Sequence, residues 1–141
     1  MVEQQEYLMK LSVIEQEAQR LEQQMQVIDQ QIQEMQAIKA SLEDLENVKE
    51  GGEILANLGK GILIKTEVKD KNLYVNVGKE IVVKKDVKST IAVIEEQITR
   101  LMNGKQEVMN RITELQQEMQ MLIGEAQKQK AKEDEKEKKK E

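Results

Sequence analysis

Two stripes of apolar residues, each recurring at steps of three and four, govern what this chain can fold into. The first runs Tyr7, Leu11, Ile14, Ala18, Leu21, Met25, Ile28, Ile32 and Met35. This spacing puts the apolar groups on one narrow stripe of a helix, the a/d seam of a coiled coil. After Met35 the next apolar step is three, to Ile38, and then come Leu42 and Leu45. Two successive steps of three make a stammer, which is expected to overwind a supercoil locally. Gln and Glu fill most intervening positions and are good helix formers. Gly51-Gly52 is expected to end the helix, because Gly enters the left-handed conformation without a Cβ penalty.

The second stripe runs Val87, Ile91, Ile94, Ile98, Leu101, Lys105, Val108, Ile112, Leu115, Met119, Leu122 and Ala126. Its only polar member, Lys105, either sets register or snorkels outward. Asp86 is expected to cap the helix start by accepting from orphan amides of the first turn. Asn103-Gly104 marks a soft or bent point, since mid-helix Gly costs about 1 kcal/mol against Ala. The two stripes match in length, each worth roughly 60–65 Å at the helical rise. An antiparallel pairing brings Leu11 near Leu122.

Between the stripes, residues 51–86 change from heptad spacing to alternation. Ile62, Ile64, Thr66 and Val68 share one strand face, and Leu73, Val75 and Val77 share another. Lys69-Asp70-Lys71-Asn72 between them has the composition of a hairpin turn. Gly59-Lys60-Gly61 separates an earlier strand around Glu53–Leu58, and Gly78-Lys79 a later one around Glu80–Lys84. Two hairpins are therefore expected. Short strands with Tyr74 as their only aromatic cannot bury a self-sufficient core, and a lone hairpin is marginal in water. Open strand edges invite pairing with another chain. The simplest expectation is a sheet or barrel shared between subunits; the alternative is that the hairpins only cap the coiled coil.

The expected organisation is an N-terminal coiled-coil helix over 1–50, a double β-hairpin oligomerisation segment over 51–86, a C-terminal coiled-coil helix over 87–126 and a charged, disordered tail over 127–141. The fold class is mainly α, a long antiparallel two-helix coiled coil with both hairpins at the helix-joining end.

Composition narrows function by exclusion. With no Cys and no His there is no disulfide, thiol nucleophile, imidazole base or His-ligated zinc. The net charge is −5, and residues 1–50 hold 4 basic against 11 acidic groups, a poor nucleic-acid surface. No apolar run approaches a membrane span. The polar segment Met1–Glu6 is unlike a signal peptide, so a cytoplasmic protein is expected. Gly59-Lys60-Gly61 fails both dinucleotide and P-loop patterns, with Ile64 and Ile54 where those need Gly. Paired acids at Glu43-Asp44, Glu95-Glu96 and Glu133-Asp134-Glu135 fall on polar faces or in the tail, where nothing would raise a pKa for acid–base work. No enzyme, metal site or cofactor is expected.

Apolar residues outside the seam are the remaining signal. Leu8, Met9 and Val13 flank the first stripe near its start, and Met121 and Ile123 flank the second near its end; Met102 and Met109 widen it further in. A two-helix coil needs only a and d, so these residues either form an interaction patch or pack on a neighbouring helix in a fixed assembly. Met suits a surface that adapts to varied partners.

With Gly52-Glu53-Ile54-Leu55-Ala56-Asn57-Leu58-Gly59-Lys60-Gly61, then Val68-Lys69-Asp70 and Val75-Asn76-Val77-Gly78, the chain resembles the α-class subunit of archaeal-type prefoldin over residues 5–126. The resemblance implies a chaperone without ATPase activity, built as a hexamer of two α-class and four β-class subunits. It implies that non-native proteins are held at coiled-coil tips and passed to a group II chaperonin. Tyr7, Leu8, Leu11, Val13, Ile14, Met119, Met121, Leu122 and Ile123 would be the client-binding tips. Ile54, Leu58, Ile62, Ile64, Val68, Leu73, Val75, Val77, Ile81 and Val83 would form the β platform. No nucleic acid or membrane partner is implied. The competing reading is a structural coiled-coil protein, a homo-oligomeric or filament-forming relative of the same fold.

Overall fold

The computed structural model describes residues 2–140. In chain order it comprises α1 (Val2–Asn47), β1 (Glu53–Gly59), β2 (Ile62–Glu67), β3 (Leu73–Asn76), β4 (Val82–Lys85) and α2 (Val87–Lys140). These elements form two compact units: α1 up to Gln30 with α2 from Asn103, and Gln31–Met102. The fold class is the expected one, an antiparallel helical pair with two small antiparallel hairpins between the helices.

In the first unit the heptad stripes meet as expected. Ile14, Leu21, Val108 and Leu115 form a buried cluster, with Ala18, Met25, Ile28, Ile112, Met119 and Leu122 packed against it. Burying a Leu completely is worth about 1.5–3 kcal/mol, and Leu115, at 1% exposure, is the best-enclosed side chain. Ion pairs flank the seam. Arg111 Nε lies 3.3 Å from Glu17 Oε1 across the helices, while Arg111 Nη1 donates to Glu114 at 3.0 Å along its own. Hydrogen bonding to Glu114, and then to Glu17, holds the Arg111 guanidinium pKa above its ordinary value. Lys105 snorkels outward from the seam. Its stem is half-buried, and its Nζ reaches Asp29 Oδ1 at 2.7 Å. Gly104, the expected soft point, lies within uninterrupted helix.

In the second unit the seam continues through Ile32 and Ile98, both buried. Here the structure corrects the sequence reading. There is no stammer at Ile38, which is 46% exposed. The heptad step of four continues instead to Lys39, which is half-buried and places Nζ 3.3 Å from Glu95 on α2. A lysine stem can occupy an apolar seam while its ammonium leaves for a carboxylate, so the charged letter concealed a seam position. Ile38 lies instead in an open groove with Leu42, Leu45, Val48, Ile54 and Leu55.

α1 ends just before the glycine pair. Gly51 has φ +83° and its amide donates to Val68 O at 2.7 Å, while Val68 N donates to Gly52 O at 2.9 Å. A Cβ on Gly52 would lie 2.8 Å from both Lys49 O and Val48 Cγ1. The end of the helix and the end of β2 are thus clasped together, with Val68 buried at the clasp. α2 begins at the expected cap: Ser89 N donates to Asp86 Oδ1 at 2.7 Å, and the side-chain hydrogen bond with Ser89 is the main reason the Asp86 carboxyl pKa is lowered.

The hairpins pair β1 with β2 and β3 with β4, as two separate two-stranded sheets. Lys69–Asn72 is therefore a connection between sheets, not the hairpin turn its composition suggested. Asp70 Oδ1 accepts from Asn72 N, and Lys71 Nζ donates to Glu46 O at the end of α1, which directs the chain away from β2. Both true turns use one device. Asn57 Oδ1 accepts from Gly59 N at 2.8 Å, and Asn76 Oδ1 accepts from Gly78 N at 2.9 Å. The glycines have φ of +122° and +111°, and Lys60 and Lys79 follow at positive φ. The last expected element also differs: residues 127–140 continue α2 as helix, with nearly every side chain exposed.

Candidate functional site

The described residues offer little for catalysis. No group of three or more His, Cys, Asp or Glu residues among them is arranged to hold a metal, and no helix is long and apolar enough to cross a membrane. What the described residues present is apolar surface, most of it beside the helical seam and on the hairpins.

The first lies in the helical unit. The start of α1 runs antiparallel to the later part of α2, and the seam between them leaves a groove on each flank. One groove, of about 290 Å³, is lined by Tyr7, Leu8, Leu11, Ile123 and Ala126, with Lys130 and Glu133 at its polar edge. The other, shallower groove is lined by Met9, Val13, Ile14 and Leu122, with Lys10 and Glu118 beside them. Heptad geometry explains the split: Leu8 and Ile123 follow seam residues and fall on one flank, whereas Lys10 and Glu118 precede seam residues and fall on the other. Leu8, Met9, Val13 and Met121 are 63% to 69% exposed. About two thirds of each of these large apolar side chains is left open by its own chain.

The residues expected at the tips divide accordingly. Ile14 is buried in the seam; Leu11 and Leu122 are half-buried and line the grooves, and Met119 is half-buried against the seam cluster. Tyr7 is half-buried, and Leu8, Val13, Met121 and Ile123 are open. Met9 belongs with the open set.

The second apolar surface is on the hairpins. Ile54 pairs with Thr66 and Ala56 with Ile64 on one face of the first sheet, and Ile62 and Ile64 remain exposed there. The opposite face carries Leu55 and Leu63, also exposed. In the second sheet Val75 pairs with Val83 on one face, while Tyr74 and Val82 are exposed on the other. Leu58, Val77 and Ile81 stand exposed near the turns, Leu73 is half-buried, and Val68 is enclosed by the clasp to Gly52. Leu55, Leu63, Tyr74 and Val82 were missed because alternation was sought along each strand. The signal was present in the unbroken runs Ile62-Leu63-Ile64 and Ile81-Val82-Val83, since a strand apolar at successive positions is one covered on both faces.

A chain whose helices close their own seam, while apolar groups stay open beside that seam and on both faces of two hairpins, is built to bind other chains. Its class is that of a coiled-coil protein with open apolar surfaces on helices and hairpins. The match to the prefoldin subunit family spans residues 14–132, and the chain belongs to the prefoldin family, a family of non-enzymatic chaperones. A solved structure of the filamentous PFD from Methanocaldococcus jannaschii is similar in fold, with a TM-score of 0.53 at 23% identity, over 86% of this chain and 95% of that one. No curated protein matches the chain by sequence.

Proposed function

We propose that this chain is a subunit of an ATP-independent holdase, which captures non-native proteins on the grooves formed by α1 and α2 and delivers them to a group II chaperonin. The observation that carries this reading is the exposure of Leu8, Met9, Val13 and Met121 around a closed seam. Each groove is small, so each contact with a client is weak. Several subunits held in one assembly sum those contacts through effective concentration, and weak individual contacts permit release. Residues 51–86 act as the oligomerisation segment. Their partners in this reading are β-class prefoldin subunits in an α2β4 hexamer in the cytoplasm.

The test is suppression of aggregation of a chemically denatured client, without nucleotide, by the chain with its partner subunit. A triple variant, Leu8→Ser, Met121→Ser and Ile123→Ser, is expected to keep full helicity and lose suppression. Equal suppression by the variant and the parent chain would remove these residues from the client surface.

The filament-like solved relative supports a second reading, homo-oligomeric growth through the hairpins. Native mass of the chain alone separates the two: mass that climbs with concentration indicates a homo-oligomeric scaffold, and a fixed mass that changes only on adding a β-class partner supports the hexamer.

A further inference from the structure

The chain has no Cys and no Trp, so Met carries all of its sulfur and is its most readily oxidised residue type. The described methionines fall into three groups. Met25, Met35 and Met119 are half-buried along the seam. Met9 and Met121 are 69% and 67% exposed, and Met9 lines a groove with Val13 and Leu122. Met102 and Met109 are less exposed than Met9 and Met121, at 48% and 42%.

We propose that Met9 and Met121 are reversible oxidation sites through which peroxide turns off the apolar surface of the helical unit. This rests on the client-capture reading given above. A lone pair on the thioether sulfur attacks one peroxide oxygen; an S–O bond forms, the O–O bond breaks, and water leaves after proton transfer. The sulfur loses two electrons and the peroxide gains them. The product sulfoxide is polar and a strong hydrogen-bond acceptor. Placed at Met9 and Met121, it hydrates a surface whose only value is being apolar. Neither side chain supports the seam, so oxidation there leaves the helices intact. Thiol-dependent sulfoxide reductases return the oxygen as water and restore the thioether. Tyr7 is the one aromatic near either groove, so aliphatic and thioether side chains supply the rest of this apolar surface.

The experiment treats the full chain, assembled with its partner subunit, with graded hydrogen peroxide. Peptide mass mapping is expected to place one added oxygen on Met9 and Met121 before Met25, Met35 or Met119. Helicity is expected to hold while client capture weakens roughly tenfold, and a pair of sulfoxide reductases is expected to restore capture. In M9L/M121L, capture is expected to be the same before and after peroxide, whatever its starting level, and M9Q/M121Q is expected to capture weakly without peroxide. Unchanged capture with both sites fully oxidised overturns the proposal, as does an equal peroxide loss in M9L/M121L. Failure of the untreated parent chain to suppress aggregation would instead overturn the capture reading, and this proposal with it.

Discussion

The helical unit and the hairpins spend the same residue types in opposite ways. Along the seam, Leu, Ile and Val meet partners from the same chain and disappear from solvent, Leu115 almost completely. On the hairpins, Leu55, Ile62, Ile64 and Val82 are paired through their backbones but keep about half or more of each side chain open. The first arrangement completes a structure, and the second leaves one to be completed. Exposed apolar area of that kind marks interaction surfaces, so apolar content alone does not reveal which residues hold this chain together.

The largest test of that contrast is a matched deletion. Leu115→Ala is expected to cost about 2–5 kcal/mol, as for other fully buried leucines. Leu58→Ala, the same chemical change at an exposed site in β1, is expected to stay within about 0.5 kcal/mol. Urea unfolding followed by helical circular dichroism, at concentrations where the chain is unassembled, reads both. Similar losses at the two sites would mean that the hairpins already have a buried core. The converse experiment is the double change Ile62→Ser and Ile64→Ser, which should leave helix unfolding unchanged and reduce the mass of the assembled species.

A smaller test uses glycine. Gly104 lies inside α2 with nothing within 4 Å of a built Cβ. Gly104→Ala is therefore expected to stabilise the chain by about 1 kcal/mol. Gly52→Ala is expected to have the opposite sign, because its Cβ would press on the Lys49 carbonyl and on Val48 where helix and hairpin are clasped. Thermal unfolding of the two variants should bracket the parent chain. A destabilised Gly104→Ala would show that α2 needs a flexible point there.

Much of this was legible in the sequence because it follows from one-dimensional periodicity. The seams, the Gly51-Gly52 stop and the Asp86 cap each depend on residues close in sequence. The hairpin partners were harder. Lys69–Asn72 has turn chemistry whether it closes a hairpin or links two, and only the Lys71 contact with the end of α1 distinguishes them. A usable signal was present nonetheless: Asn57-Leu58-Gly59-Lys60 and Asn76-Val77-Gly78-Lys79 repeat the same turn pattern at both true hairpins. The open residues of the grooves were visible as departures from the heptad. Their separation into two flanks, and the burial of Ile14, needed the second helix in place.

The smallest expected effect is at Ile38, and it bears on how a coiled-coil sequence should be read. Following apolar letters alone puts Ile38 in the seam and makes the supercoil stammer. Following the period puts Lys39 there, with its ammonium paired to Glu95 at 3.3 Å. If Ile38 were a seam residue, Ile38→Gln would remove a buried side chain and cost about 1–3 kcal/mol. With Ile38 in an open groove and Gln a better helix former, the two small terms oppose each other, and the change is expected to fall within about 0.5 kcal/mol. Urea unfolding of the unassembled chain decides between them. A loss above 1.5 kcal/mol would restore the stammer. A negligible loss would leave the heptad unbroken through a lysine, with the aliphatic stem meeting the seam's demand for apolar surface and the charge leaving to meet a carboxylate.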